Sequence, residues 1–142
     1  MGILTGKKGI IFGALNDKSI AWKAAEAAAR EGAEIVLTNT AVAMRFGTTK
    51  ELGEQLHAPV IAADATNVND LEALVDSAIA HFGGQFDFVL HSVGMSPNIR
   101  KNIPYENINE PSFILDSSLC IKTFSFHKRI CYFRDITMKV TY

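Results

Sequence analysis

Short unbroken apolar runs alternate with longer stretches of helix-forming residues along the first two thirds of the chain. Residues 8–13 (KGIIFG) lack the polar alternates of a half-exposed strand and read as one buried on both faces. Residues 19–31 (SIAWKAAEAAARE) follow as a helix, with Ser19 placed to cap its start and Gly32 just past its end. A second strand is predicted over 33–39 (AEIVLTN), a weaker helix over about 48–56, and a third strand over 59–64 (PVIAAD). Over 69–82, Leu71, Leu74, Val75, Ala78, Ile79 and Phe82 recur at helical spacing, and Gly83-Gly84 stop the helix. Residues 86–92 (FDFVLHS) make the fourth strand.

Strands of this kind, separated by helices, imply a parallel sheet, because a parallel crossover needs a connecting segment of about a dozen residues. Right-handed crossovers then distribute the helices over both faces. The fold class predicted is α/β: a Rossmann-type doubly wound parallel sheet, incomplete at about four strands, with helices on both faces. Beyond Gly94 the pattern breaks. All 10 glycines lie at or before Gly94, whereas both cysteines (Cys120 and Cys131) and all 3 tyrosines lie after it. Residues 111–142 show no clear period, and neither a repeat nor a low-complexity linker is visible.

Composition narrows the function classes. The 142 residues are 48% hydrophobic and 20% charged, which is ordinary for a globular domain. A net charge of -1 gives no basic stripe for nucleic acid, and no apolar run approaches the length of a membrane span. The start lacks a signal-peptide pattern and two cysteines make no disulfide framework, so the expected setting is cytoplasmic. His57, His81, His91 and His127 do not cluster at metal-ligand spacing, and His91, ending a buried strand, reads as a core histidine.

In a doubly wound sheet, ligands bind outside the carboxyl ends of the strands. Four such ends are readable here: Gly13, Asn39-Thr40, Asp64-Ala65 and Ser92-Val93-Gly94. Each puts small or polar residues directly after an apolar run, which suits a flat ligand needing close backbone approach. The first loop is longer than the usual glycine-rich fingerprint: five residues separate Gly13 from Ser19. The helix start supplies unpaired N–H groups and a positive dipole for a pyrophosphate. Ser19 is thus both an N-cap and a candidate phosphate ligand through its hydroxyl, with the Ile20 amide beside it. The second strand ends without the carboxylate that selects NAD, and Arg45, five residues after Thr40, could meet a 2′-phosphate, although a lone surface arginine is more often just solvated. A receiver-like role for Asp64 lacks the acidic pair such a site needs after the first strand.

The segments GALNDKSIAW (13–22), REGAEIVLTNT (30–40), ADAT (63–66) and FDFVLHSVGMSP (86–97) resemble the enoyl-acyl-carrier-protein reductases, divergent members of the short-chain dehydrogenase/reductase superfamily. The likeness runs in register to about Tyr105. It implies a cofactor site for NADH, with NADPH as the variant, built from Gly13, Ser19, Ile20, Thr40, Asp64, Ala65, Val93 and Gly94. Gly13, Ser19 and Ile20 fall at the pyrophosphate and ribose, Thr40 beside the adenosine, Asp64 and Ala65 at the adenine, Val93 and Gly94 under the cofactor. Ser96 falls where a backbone amide meets substrate. The implied substrate is an enoyl chain on acyl-carrier protein, and the implied assembly a homo-tetramer.

The resemblance also implies a tyrosine that stabilises the enolate and a lysine, six residues between them, on a later strand and helix. The chain is expected not to reach them, so no catalytic residue is assigned. Residues 1–105 are expected to form the dinucleotide-binding half and 106–142 a divergent or out-of-frame tail of a truncated copy. The alternative is a catalytically inactive nucleotide-binding or strand-pairing module, since FDFVL would be left as a bare apolar edge.

Overall fold

The computed structural model of the chain describes residues 2–93. It contains β1 (Lys8–Phe12), α1 (Ile20–Arg30), β2 (Glu34–Asn39), α2 (Ala41–Phe46), α3 (Thr49–Leu56), β3 (Val60–Ala62), α4 (Val68–Phe82) and β4 (Phe88–His91). The strands form one parallel sheet in the order β3-β2-β1-β4. The chain therefore winds outward from β1 through β2 to β3, then crosses back to place β4 on the other side. That reversal between β1 and β4 is a topological switch point.

Side chains alternate across the sheet, and two cores result. Ile10, Phe12 and Val36 pack with Leu71, Leu74, Val75, Ala78 and Phe82 of α4 on one face. Ile11, Ile35 and Leu37 pack with Ala21, Trp22 and Ala25 of α1 and Leu52 of α3 on the other. The periodic face predicted for α4 is the buried one. Gly9 admits Phe88 from the neighbouring strand, because a Cβ there would lie 2.3 Å from the Phe88 ring.

The predicted helix ends are also found. Ser19 caps α1, its Oγ accepting from Trp22 N at 3.3 Å. At the other end Gly32 has φ +89, Gly32 N donates to Ala29 O and Ala33 N to Ala28 O, a Schellman closure. Gly83, with φ 69, ends α4 in the same left-handed conformation.

Two elements differ from expectation. The sequence pattern gave no helix over 41–46, yet α2 forms there as a single short turn-and-a-half. It buries no side chain, so it leaves no apolar periodicity to detect; Thr40 caps it instead, Oγ1 accepting from Ala43 N at 3.1 Å. The third strand is shorter than 59–64, because its partner β2 ends at Asn39, opposite Ala62. Among the described residues, no helix is long and apolar enough to cross a membrane.

Candidate functional site

Because the strands are parallel and adjacent, their carboxyl ends line one edge of the sheet. Backbone contacts tie these ends together: Gly13 N donates to Thr38 O at 3.0 Å and Ala63 N to Asn39 O at 3.0 Å. Gly13 meets the fourth strand end directly. With φ +91, any Cβ there would come within 2.0 Å of Ser92 O and 3.2 Å of Val93 Cγ1. The glycine is thus required by the close approach of two strand ends, before any ligand is considered. Gly13, Thr40, Asp64, Ala65 and Val93 all lie at or just beyond this edge. Gly94 and Ser96 lie outside the described residues.

The loop from Gly13 to Ser19 is held by its own hydrogen bonds. Ser19 Oγ donates to Asn16 O at 2.8 Å and accepts from Leu15 N and Trp22 N, both at 3.3 Å. A hydroxyl has one donor and two lone pairs, so this one is fully occupied within the loop. Ser19 shapes the helix start, and its hydroxyl reaches a phosphate only by giving up Asn16 O. The donors left over are backbone groups. Trp22 N is taken by Ser19 Oγ and Lys23 N by Ser19 O, whereas Ile20 N and Ala21 N have no partner among the described residues. Ala21 is wholly buried and Ile20 exposed, so Ile20 N is the amide that the positive end of this eleven-residue helix offers to an anion.

At the second strand end, Asn39 Oδ1 accepts from Thr40 N at 2.9 Å, and Thr40 Oγ1 is spent on capping α2. No carboxylate stands there, and Arg45 is exposed on the last turn of α2. Asp64 is exposed two residues past β3; its Oδ1 accepts from Thr66 N at 2.8 Å and Thr66 Oγ1 at 2.7 Å. Its backbone N–H donates to Asp70 Oδ2 at 3.0 Å. This turn fixes the 64–66 backbone and presents Ala65 half-buried beside the α4 core. His91 is half-buried with its ring 6.2 Å from that of Phe12, and burial lowers its pKa below the ordinary histidine value. Its environment favours the neutral ring, as expected of a core histidine. Among the described residues, no group of acidic, histidine or cysteine side chains could hold a metal ion.

The pattern missed the residues that hold the loop from outside. Thr49, fully buried, donates Oγ1 to Ala14 O at 2.5 Å, and Thr48 N donates to Leu15 O at 2.9 Å. Asn39 Nδ2 adds a longer bond of 3.4 Å to the same Ala14 carbonyl. The sequence signal available was Gly47-Thr48-Thr49, two hydroxyl residues where one cap suffices.

Tyr132 and Lys139 have six residues between them, the spacing implied for the catalytic pair, and both lie outside the described residues.

The family model described as Enoyl-(Acyl carrier protein) reductase matches residues 13–139. Among curated relatives, the "Enoyl-[acyl-carrier-protein] reductase [NADH] 2" of Rhizobium meliloti is 31% identical over 126 residues, 88% of this chain and 46% of the relative. The corresponding reductase of Mycolicibacterium smegmatis is 33% identical over 119 residues, covering 77% of this chain and 43% of its own. Among solved structures, a FabI-NADH complex from Alistipes finegoldii matches with TM-score 0.80 and 51% identity, over 89% of this chain and 46% of the other. The chain spans about half the length of the curated relatives it matches. With the strand order, the glycine-poor first loop and a match over most of its length all agreeing, this chain belongs to the enoyl-acyl-carrier-protein reductase family.

Proposed function

We propose that this chain is the cofactor-binding half of an NADH-dependent enoyl-acyl-carrier-protein reductase of fatty acid synthesis, and that alone it binds the dinucleotide without turning it over. The observation that carries the reading is the Ile20 N–H at the start of α1, on an exposed residue and without a partner among the described residues. It stands at the sheet edge where Gly13, Thr40, Asp64, Ala65 and Val93 also lie, and such an edge accepts a nucleotide. The names of the relatives from R. meliloti and M. smegmatis, and the NADH complex of the A. finegoldii protein, support the choice of NADH.

In this reading the Ile20 amide and the Ser19 turn receive the pyrophosphate, with Gly13 beneath it. Thr40 borders the adenosine, Asp64 and Ala65 hold the adenine ring, Val93 and Gly94 run under the cofactor, and the Ser96 amide meets substrate. The chemistry that bound NADH supplies is hydride for the β-carbon of a trans-2-enoyl thioester. NADPH is the second dinucleotide to test, because no carboxylate at the end of β2 repels a 2′-phosphate. The assigned positions all fall within residues 1–105, the half that binds; 106–142 is the divergent tail. The substrate is an enoyl chain on acyl-carrier protein, the setting is the cytoplasm, and the assembly is a homo-tetramer.

Absence of turnover follows from the missing proton donor to the enolate, a preorganised interaction commonly worth roughly 3 kcal/mol or more. In this reading Tyr132 does not supply it, because the likeness on which the sites rest runs in register only to about Tyr105. The experiment is a fluorescence titration of the 142-residue chain with NADH, followed by an assay with crotonyl thioester. Saturable binding without NADH oxidation is expected. No binding overturns the nucleotide reading. Oxidation overturns the inactivity, and Tyr132→Phe then decides whether Tyr132 is the donor.

A further inference from the structure

We propose that Thr49 is a positioning residue for the dinucleotide: from the start of α3 it clamps the phosphate loop at Ala14, and its hydroxyl sets the affinity for NADH without touching it. The inference rests on the nucleotide reading above.

The β2-to-β3 crossover is broken at Gly47-Thr48, between α2 and α3, and the break lies against the loop that leads from β1 to α1. Gly47 packs on Leu15 so closely that a Cβ would lie 2.6 Å from both Leu15 O and Leu15 Cδ1. Thr48, the residue before α3, makes no side-chain cap. Its N–H instead donates to Leu15 O at 2.9 Å, and the next residue, Thr49, donates Oγ1 to Ala14 O at 2.5 Å. The Thr48 N–H and the Thr49 hydroxyl are therefore spent on another segment, while Thr48 O accepts from Leu52 N of their own helix.

Ala14 O is a buried carbonyl on a loop with few alternatives. Its second partner, Asn39 Nδ2, is at 3.4 Å, a weak geometry. Thr49 is wholly buried, so its hydroxyl is placed at a cost that only a satisfied bond repays. From Ala14 the connection runs onward through protein bonds. Leu15 N donates to Ser19 Oγ, which accepts from Trp22 N at the first turn of α1. Ile20 N, the amide assigned to the pyrophosphate, lies between the last two of these residues. Thr49 thus holds one end of a short hydrogen-bonded chain whose other end orients the anion-binding amide. Loosening the loop leaves binding to order it again, which weakens affinity.

The test uses the full chain and three proteins: unaltered, Thr49→Val and Thr49→Ser. Valine keeps the shape and removes the hydroxyl; serine restores it. Amide hydrogen exchange is followed at Gly13, Leu15 and Ser19 in the loop and at Val75 and Ala78 in α4. In Thr49→Val, loop exchange is expected to rise at least about fivefold while α4 amides stay within about twofold. NADH titration is expected to give a Kd about tenfold higher, equivalent to about 1.4 kcal/mol, with Thr49→Ser returning both readouts towards the unaltered values. Equal exchange changes in loop and α4 mean a merely structural role and overturn the proposal. So does an unchanged loop, or an unchanged Kd where the unaltered chain binds. If the unaltered chain binds no NADH, the nucleotide reading fails, and with it the proposed effect on affinity; loop-specific exchange then reports only a local tether.

Discussion

Two buried threonines show how little a residue type decides by itself. Thr38 and Thr49 are both fully buried. Thr49 Oγ1 has the Ala14 carbonyl, whereas Thr38 Oγ1 has no partner among the described residues. A buried hydroxyl without a hydrogen bond costs about 1–3 kcal/mol, and a satisfied one repays its burial. Thr38→Val is therefore expected to raise stability by about 1 kcal/mol, read as a higher urea midpoint at unchanged slope. A lower midpoint would mean that the hydroxyl finds a partner in solution. In the sequence, Thr38 stands in an apolar run and Thr49 at a predicted helix start. Neither position reveals which hydroxyl is paired, because the partner of Thr49 is 35 residues away.

At the scale of elements, α1 and α4 were legible because each carries its signals locally. Apolar residues at helical spacing chose the buried faces, and Ser19, Gly32 and Gly83 marked the ends. The short α2 was not legible, since an element that buries nothing leaves no apolar period. The Ser19 cap is the local device that shapes the start of α1 and the loop before it. Ser19→Ala removes the acceptor of Trp22 N and Leu15 N and the donor to Asn16 O together. It is expected to lower stability by about 1–2 kcal/mol, at the upper end for a lost N-cap. Chemical denaturation checks this; a change below a few tenths would mean that water replaces the hydroxyl without loss.

For the whole molecule, the acid side of the stability profile draws, among the described residues, on Asp87 and His91 at opposite ends of the sheet. It draws also on Glu26, whose carboxyl is held low chiefly by its bond to Lys23. Asp87 accepts from Lys7 Nζ at 2.7 Å and Lys8 N at 2.9 Å, and chiefly the Lys7 bond holds its carboxyl below the usual range. Burial lowers the pKa of His91. Both folded-state values lie below the unfolded ones, so the unfolded chain binds more protons as pH falls. The His91 contribution is whole above the ordinary histidine pKa and declines as pH falls below it. The Asp87 contribution is whole above the ordinary carboxylate pKa and is lost below that. Stability should therefore fall in two stages on acidification. Replacing His91 with Phe should flatten the upper stage and leave the lower one, as followed by thermal denaturation across pH; an unchanged upper slope would assign it elsewhere.

The sequence by itself determined the parallel α/β architecture, the two-sided burial of β1 and β2 and the four strand ends that line one edge of the sheet. These follow from apolar periodicity and end signals within a few residues of one another, which any chain displays before it folds. Only the tertiary structure decided that Gly13 is required by Ser92 of the fourth strand and that the Ser19 hydroxyl is consumed within its own loop. It also decided that Thr49 holds Ala14 from another helix. Each of these depends on groups brought to hydrogen-bond or van der Waals distance by the crossovers. FGALNDKSIAW shows where the loop is, and the start of α3 decides how firmly it is held.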